Sequence, residues 1–199
     1  MDFTLVHELN GFAFRHDGFE DPVSLYVSAS QALFLALVVL LVLAGAGSDW
    51  RRRAGVAAGL AAGVALACAQ VVSRLVDRPR PFVAHPGSIH LFAGHAADAG
   101  FPSDHATAAF AIATALLLRN RPLGIVALVF AAVLAAGRVM LGVHYPSDVA
   151  AGAALGALVA LALHVPVVRA WIDRLADAAG RPIDAVLSRL GLRPQPRRA

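Results

Sequence analysis

The chain has 199 residues, of which 58% are hydrophobic and only 15% are charged, with a mean hydropathy of +0.67 and a formal net charge of +4. A soluble domain carries about a quarter charged residues, so this composition excludes an ordinary soluble fold and indicates an integral membrane protein. The single cysteine, Cys68, excludes an intramolecular disulfide framework.

The first segment, residues 1–23, is polar and acidic, with apolar residues at roughly helical spacing. This pattern predicts a short helix lying at the membrane interface, ended by Pro22. No cleavable signal peptide is expected, because the first 22 residues contain no apolar core of the kind that such peptides carry.

Five apolar segments follow and predict five membrane-spanning helices. They cover residues 26–47, 54–72, 103–118, 123–141 and 147–168. We therefore predict an all-α integral membrane bundle of about five transmembrane helices, with short interfacial helices at the termini. It forms one domain over residues 1–199, which divides into the interfacial segment 1–23, a helical core 24–168 and an Arg-rich cytoplasmic tail 169–199.

The distribution of arginine predicts the orientation, since basic loops stay on the cytoplasmic side. With five spans, residues 51–53, residues 119–121 and the tail fall on one side, which is predicted to be cytoplasmic. The loop 77–100 and the turn 142–146 then face the exterior. Three arginines on that side, Arg78, Arg80 and Arg138, oppose the bias, and an anionic substrate would explain them.

These arginines suit phosphoryl transfer without a metal. The phosphoryl oxygens need fixed positive charge and backbone donors, and the planar guanidinium group binds them through paired hydrogen bonds. Arg80 and Arg138 are the predicted phosphate-binding residues, with Arg78 as a helper. Ser103 lies where a helix is predicted to begin, and free backbone N–H groups there favour an anion.

Two histidines can supply the remaining chemistry. Asp148 follows His144 by four residues, one helical turn, so its carboxylate could bond one ring nitrogen and leave the other to attack phosphorus. His105 would protonate the leaving oxygen. Asp148 could also cap the fifth helix, and the two roles are compatible.

The same residues carry a resemblance to a known family. Arg80-Pro81, the segment Pro102-Ser103-Asp104-His105, and Arg138 with His144 and Asp148 resemble the three signature motifs of the type 2 phosphatidic acid phosphatase superfamily, which includes the vanadium haloperoxidases. The segment from Arg78 to His85, followed by His95, Asp98 and Phe101 to His105, is more narrowly similar to the bacitracin-resistance-type undecaprenyl-diphosphatases.

The resemblance implies a role for each matching residue. His144 would be the nucleophile that forms a phosphohistidine, Asp148 its orienting carboxylate and His105 the acid. The implied phosphate-binding positions are Arg80, Arg138 and Ser103. Asp104 stands where many members have glycine, and the undecaprenyl type resembles this chain there.

The implied reaction converts undecaprenyl diphosphate to undecaprenyl phosphate and inorganic phosphate, which recycles the lipid carrier for peptidoglycan synthesis in the cell wall. It needs no metal or cofactor, involves no nucleic acid, and would take place at the exterior face of a bacterial plasma membrane. The implied partners are an isoprenoid lipid diphosphate and the membrane.

Some positions depart from the family pattern or extend it. The first motif of the superfamily begins with lysine, where this chain has Ser73, and Arg74 beside it is a possible substitute. His95 and Asp98 are expected to shape the loop or the diphosphate pocket. A metal site formed by His85, His90 and His95 is disfavoured, because a spacing of five fits neither a helix face nor a strand face.

Two other functions stay open from the sequence. A lipid phosphatase acting on phosphatidic acid or phosphatidylglycerol phosphate would use the same catalytic residues. A small transporter or binding protein for anionic lipids would place its charged groups near the bilayer midplane, whereas here the charged clusters stand at segment ends.

Overall fold

The computed structural model describes residues 1–45, 49–92 and 94–190, and this part of the chain contains helices and no strand. The helices are α1 Asp2–Arg15, α2 Asp17–Leu43, α3 Asp49–Val76, α4 Pro81–Ala84, α5 Asp104–Leu117, α6 Arg121–Met140, α7 Pro146–Leu163 and α8 Pro166–Arg189. The all-α prediction is confirmed. Residues 46–47 of the first predicted span and residues 191–199 of the predicted tail lie outside the described residues.

Helices α2, α3, α6 and α7 are long and apolar enough to cross a membrane. Helix α5 is also apolar but has only 14 residues, about 21 Å at 1.5 Å per residue, against a hydrocarbon core of about 30 Å. The predicted membrane bundle is therefore confirmed as four helices of spanning length around one shorter helix.

Helix α5 lies at the centre of the bundle, packed against α7, α3, α6 and α2. Its contact with α7 is close because glycine occupies the interface: a Cβ atom on Gly152 would lie 2.6 Å from the Ser103 carbonyl oxygen, and one on Gly156 would collide with the Thr107 carbonyl. The backbone N–H of Ser103 donates to the carbonyl of Asp148 at 3.0 Å. The first turns of α5 and α7 are thereby held side by side.

Helix α1 lies at the same end of the bundle as these first turns. Its buried Asn10 donates from Nδ2 to the carbonyls of His90 and Met140, each at 2.9 Å, and accepts from the His90 N–H at 2.8 Å. One side chain thus joins α1, the polar loop and the end of α6.

The prediction that Pro22 ends the N-terminal helix is wrong, because α2 begins at Asp17 and includes Pro22. The break falls instead at His16, whose φ of −133° is not helical. Pro22 removes the hydrogen bond to the carbonyl of residue 18, which lies in the first turn of α2 at an exposed glycine where water can replace the missing donor.

The opposite end of the bundle carries the other basic segments. Helix α8 packs against α3 there, and Arg53 binds Asp177 through two hydrogen bonds of 2.9 and 2.7 Å. Arg119, which follows α5, forms an ion pair of 2.7 Å with Asp173. Residues 51–53, Arg119 and α8 therefore share one end, as the arginine pattern predicted.

Candidate active site

His144 lies at the centre of the polar cluster, in the turn between α6 and α7, and is 2% exposed. Its Nε2 lies 3.0 Å from Arg80 Nη1 and 3.1 Å from Arg138 Nη2, and its Nδ1 lies 2.9 Å from the Gly100 carbonyl oxygen. Because a guanidinium group can only donate, Nε2 must accept. The proton therefore sits on Nδ1, which donates to Gly100.

The surroundings of His144 also keep its ring neutral. Burial, together with the charges of Arg138 and Arg80, lowers the pKa of His144 well below 6.5, against the opposing effect of its hydrogen bond to Gly100. The ring thus presents an Nε2 lone pair between two cations, which is the arrangement that an attack on a phosphoryl group requires.

Local structure explains how the two arginines reach His144. Arg80 is the N-cap residue of α4, and the following Pro81, with its fixed φ, starts that helix. Arg80 Nη1 also donates to the Val143 carbonyl at 3.1 Å. Arg138 lies in the last turn of α6 and is 5% exposed, and its buried Nε atom has no hydrogen-bond partner among the described residues.

The polar loop brings His95 and Asp98 to these arginines. Asp98 Oδ1 accepts from Arg80 Nε at 2.9 Å, and His95 Nε2 accepts from Arg138 Nη2 at 3.0 Å. Burial of His95, with the charges of Arg80 and Arg138, lowers its pKa, which favours the neutral ring that accepts this bond. Both residues thus touch the predicted phosphate-binding side chains.

The position of Asp148 differs from the predicted hydrogen bond to His144. Its Oδ2 lies 3.8 Å from His144 Nδ1 and accepts instead from the backbone N–H of Tyr145 at 2.8 Å. His144 Nδ1 donates instead to the carbonyl of Gly100, because the loop 77–100 ends beside the His144 ring. Asp148 is the third residue of α7 rather than its N-cap, and it bonds back to the backbone before the helix.

Arg78 lies beside the cluster and does not reach His144. Its Nη1 donates to Asp148 Oδ1 at 2.9 Å and to Ser147 Oγ at 2.6 Å, and its Nη2 donates to Asp2 at 2.8 Å. The guanidinium carbon lies 4.0 Å from the centre of the Tyr145 ring. Arg78 therefore orients Asp148, and its predicted role as a helper in phosphate binding stays a prediction.

The three consecutive residues at the start of α5 have different surroundings. Ser103 is fully buried and is the N-cap of α5, where its Oγ accepts from the Ala106 N–H at 3.5 Å. Asp104 accepts a hydrogen bond from Gln70 at 2.9 Å. His105 is half-buried and lies within electrostatic range of His144, and none of residues 1–45, 49–92 or 94–190 hydrogen-bonds its ring.

The remaining predicted residues lie apart from this cluster. Arg74 is exposed and makes no ion pair within the described ranges, so Gln70 is the α3 residue that reaches the motif of α5. His90 stacks on Phe14 at a centroid distance of 3.6 Å, and the ring of His85 is tilted against that of Phe3 at 3.9 Å. In the described part of the chain, no three His, Cys, Asp or Glu residues are grouped as metal ligands.

The sequence reasoning missed two groups that complete this site. The Gly100 carbonyl fixes the His144 tautomer, and a backbone acceptor leaves no signal in a sequence. Asp2 accepts from the Ser147 N–H at 3.1 Å and also binds Arg78 and the Ser147 hydroxyl. Its only sequence signal is its place in an acidic N-terminal segment.

The arrangement of the two arginines and His144 agrees with a family match. The sequence profile of the PAP2 superfamily matches residues 54–172. The chain belongs to this superfamily. The match runs from within α3 to the second turn of α8 and includes Arg80, His105 and Arg138.

Individual relatives extend the match beyond this region. The undecaprenyl-diphosphatase BcrC of Bacillus subtilis is 29% identical over 197 residues, which cover 98% of this chain and 97% of the relative. The bacitracin transport permease protein BcrC of Bacillus licheniformis is 34% identical over 71% of this chain and 68% of its own length.

A third relative, the decaprenylphosphoryl-5-phosphoribose phosphatase of Mycobacterium tuberculosis, is 42% identical over 61% of this chain and 66% of its own length. This chain is thus a multi-pass membrane protein and a lipid phosphatase of the PAP2 type.

Proposed function

We propose that this protein hydrolyses undecaprenyl diphosphate to undecaprenyl phosphate and inorganic phosphate through a phosphohistidine on His144. The observation that carries the proposal is the neutral His144 ring, whose Nε2 lies within 3.1 Å of both Arg80 and Arg138. A phosphoryl group that bonds the same two guanidinium groups would stand directly in front of the nitrogen lone pair.

The first half-reaction follows from this geometry. The Nε2 lone pair attacks the terminal phosphorus, and the bond from phosphorus to the bridging oxygen breaks. Arg80 and Arg138 neutralise the charge that develops on the phosphoryl oxygens. His105, which makes no other hydrogen bond in the described structure, is kept protonated by the negative charge of the bound diphosphate and gives its proton to the leaving oxygen.

The second half-reaction regenerates the enzyme. His105, now neutral, takes a proton from a water molecule that attacks the phosphohistidine, and the bond from phosphorus to Nε2 breaks. The Gly100 carbonyl accepts from Nδ1 throughout, so the ring keeps its orientation. The Asp148 carboxylate, 3.8 Å from Nδ1, stabilises the positive charge that the ring carries as a phosphohistidine.

The choice of an isoprenoid substrate draws on the relatives. The Bacillus subtilis relative is named for undecaprenyl diphosphate and is similar over nearly the whole chain. The mycobacterial relative is named for a different polyprenyl lipid. A long isoprenoid anchor with a phosphorylated head is common to both names, which supports a polyprenyl substrate over a glycerolipid, and such a substrate suits lipid-carrier recycling in cell-wall synthesis.

A transport function is less well supported, although one relative is named as a transport permease. The cationic cluster lies at one end of the bundle, at the last turn of α6 and the first turn of α7, and not midway along the spanning helices. The other end carries most remaining arginines, so we place the active site on the exterior face of the membrane, with α8 in the cytoplasm.

The test is phosphate release by the purified protein in detergent with excess EDTA. We expect release from undecaprenyl diphosphate to exceed release from phosphatidic acid and phosphatidylglycerol phosphate. His144→Ala should abolish turnover, and a rapid quench should trap acid-labile phosphate on the wild type alone. Preference for a glycerolipid would overturn the substrate and keep the mechanism, whereas full activity in His144→Ala would overturn the mechanism.

A further inference from the structure

Arg80 uses its two edges differently. On the inner side, Nη1 donates to the Val143 carbonyl and to His144 Nε2, at 3.1 and 3.0 Å. On the other edge, formed by Nε and Nη2, the partners are the Asp98 carboxylate at 2.9 Å and the Ala99 carbonyl at 3.4 Å. This second edge has the paired N–H geometry that binds two oxygens of one phosphate group.

Asp98 therefore holds an oxygen where a phosphate oxygen would bind. It is also the one carboxylate within 4.0 Å of either cationic partner of His144 in the part of the chain that the structure describes. Arg138 has no such counterion there, since the nitrogen atoms of His95 and His144 are its acceptors. In the described structure, a carboxylate therefore neutralises the charge of Arg80 but not that of Arg138.

The two members of this ion pair differ greatly in exposure. The Arg80 side chain is 7% exposed, whereas the Asp98 side chain is 62% exposed. Moving the carboxylate into water costs little, while moving the guanidinium group would disrupt its buried bonds. Partial burial acts to raise the pKa of Asp98, but the hydrogen bond and charge of Arg80 outweigh it and keep the carboxyl ionised.

We propose that Asp98 occupies the phosphate-binding edge of Arg80 before substrate binds and competes with phosphate for it. The inference rests on the proposed function, because it takes Arg80 as a phosphate ligand. The incoming phosphoryl group displaces Asp98 into water, since two anions cannot share one edge of the guanidinium group. After hydrolysis the carboxylate returns and favours release of inorganic phosphate, so Asp98 sets the affinity of the site for substrate and product.

The experiment measures inorganic phosphate binding to the purified protein in detergent by titration calorimetry, and as competitive inhibition of turnover. Asp98→Asn keeps the shape and one acceptor oxygen but removes the charge. We expect it to bind phosphate about tenfold more tightly, equivalent to ~1.4 kcal/mol, with a lower KM and no gain in kcat. Asp98→Glu, which keeps the charge, should resemble the wild type.

Asp77→Asn is the matched control, because it removes the same charge from the same loop at an exposed residue outside the cluster. Its φ of 42° is one that asparagine adopts readily. We expect its phosphate affinity to stay within twofold of the wild type. Melting temperatures of all variants check that each is folded.

Unchanged or weaker phosphate binding in Asp98→Asn would overturn the inference, as would equal tightening in Asp77→Asn. Because titration calorimetry measures phosphate binding without turnover, its result is separable from the proposed function. A protein that hydrolyses none of the lipids but binds phosphate more tightly as Asp98→Asn would refute the proposed reaction and retain the competition. If the protein hydrolyses the lipid and Asp98→Asn binds phosphate with unchanged affinity, the proposed reaction is retained and the competition is refuted.

Discussion

The two ends of the bundle both concentrate arginine, but they neutralise it differently. At the end that carries α8, each of three arginines pairs with a carboxylate from that helix. The pairs are Arg52 with Asp184, Arg53 with Asp177 and Arg119 with Asp173. At the end that carries His144, the exposed carboxylate of Asp98 pairs with Arg80, and Arg138 has no carboxylate partner in the described part of the chain.

The difference distinguishes arginines whose charge is neutralised by carboxylates of α8 from the two that we propose bind phosphate. A buried cation without a counterion costs stability, so a fold under no other demand would pair it. Arg138 is 5% exposed, and its Nη2 donates to two neutral imidazole nitrogens. Burial is similar at both ends, as Arg52 is 6% exposed. Arg138 and Arg52 are thus about equally buried, and what distinguishes them is that only Arg52 has a carboxylate partner in the described structure.

The largest expected effect comes from Arg138→Lys, which we compare with the same substitution at the other end, Arg53→Lys. Arg138→Lys keeps the charge but loses the planar fork that can bond His144 and a phosphate oxygen together. We expect kcat/KM for lipid phosphate hydrolysis to fall at least ~100-fold, the scale of losing one transition-state donor. Arg53→Lys at the other end should stay within about twofold.

This prediction is tested by measuring steady-state phosphate release by both variants, corrected for the fraction of folded protein. If Arg138→Lys kept most of the activity, or if Arg53→Lys lost as much, the distinction between paired and available arginines would not hold.

Asp184→Asn tests the paired end and should alter stability rather than catalysis. It removes the counterion of Arg52, whose side chain is 7% exposed and packs against Gly180, so the cation cannot easily reach water. We expect the variant to lose ~1–2 kcal/mol, discounted from the value for a fully buried pair because Asp184 is 25% exposed. Thermal unfolding in detergent should show this, with kcat/KM per folded molecule unchanged.

Asp177→Asn serves as the control for that experiment. Its ion pair with Arg53 joins side chains that are 44% and 36% exposed, where such pairs contribute less than about 1 kcal/mol. An equal loss of stability in both variants, or a loss of turnover in Asp184→Asn alone, would contradict a fastening role for α8.

Much of this fold follows from the sequence, because charge-free segments leave a chain in a membrane few options. The fourth predicted span, residues 123–141, compares with α6 at Arg121–Met140, and the third, 103–118, with α5 at Asp104–Leu117. Ser103 was also placed correctly at a helix start. Local apolar runs and turn residues carry this information.

The side-chain contacts were less predictable because they join distant segments. The spacing of His144 and Asp148 fits one helical turn, yet His144 precedes α7, so the helical geometry behind the predicted bond does not apply to it. Gly100 approaches the ring from a loop 44 residues away. Arg78 was grouped with Arg80 by sequence neighbourhood, although acidic partners bind it instead.

The smallest expected effect on turnover concerns Asp2, which links α1 to the first turn of α7. It bonds Ser147 and Arg78, and Arg78 in turn bonds Asp148 behind His144. Asp2→Asn weakens this outer contact only, so we expect kcat to fall about threefold to tenfold with little change in KM.

Burial acts to raise the pKa of Asp2, but hydrogen bonds from Ser147 and Arg78 outweigh it and hold the pKa below 3.8. Asp2 is therefore ionised at every pH from 5 to 8, and the ratio of wild-type to variant kcat should be constant over that range. A ratio that narrowed toward pH 5 would show that Asp2 titrates there, and an unchanged kcat would show that α1 does not position His144.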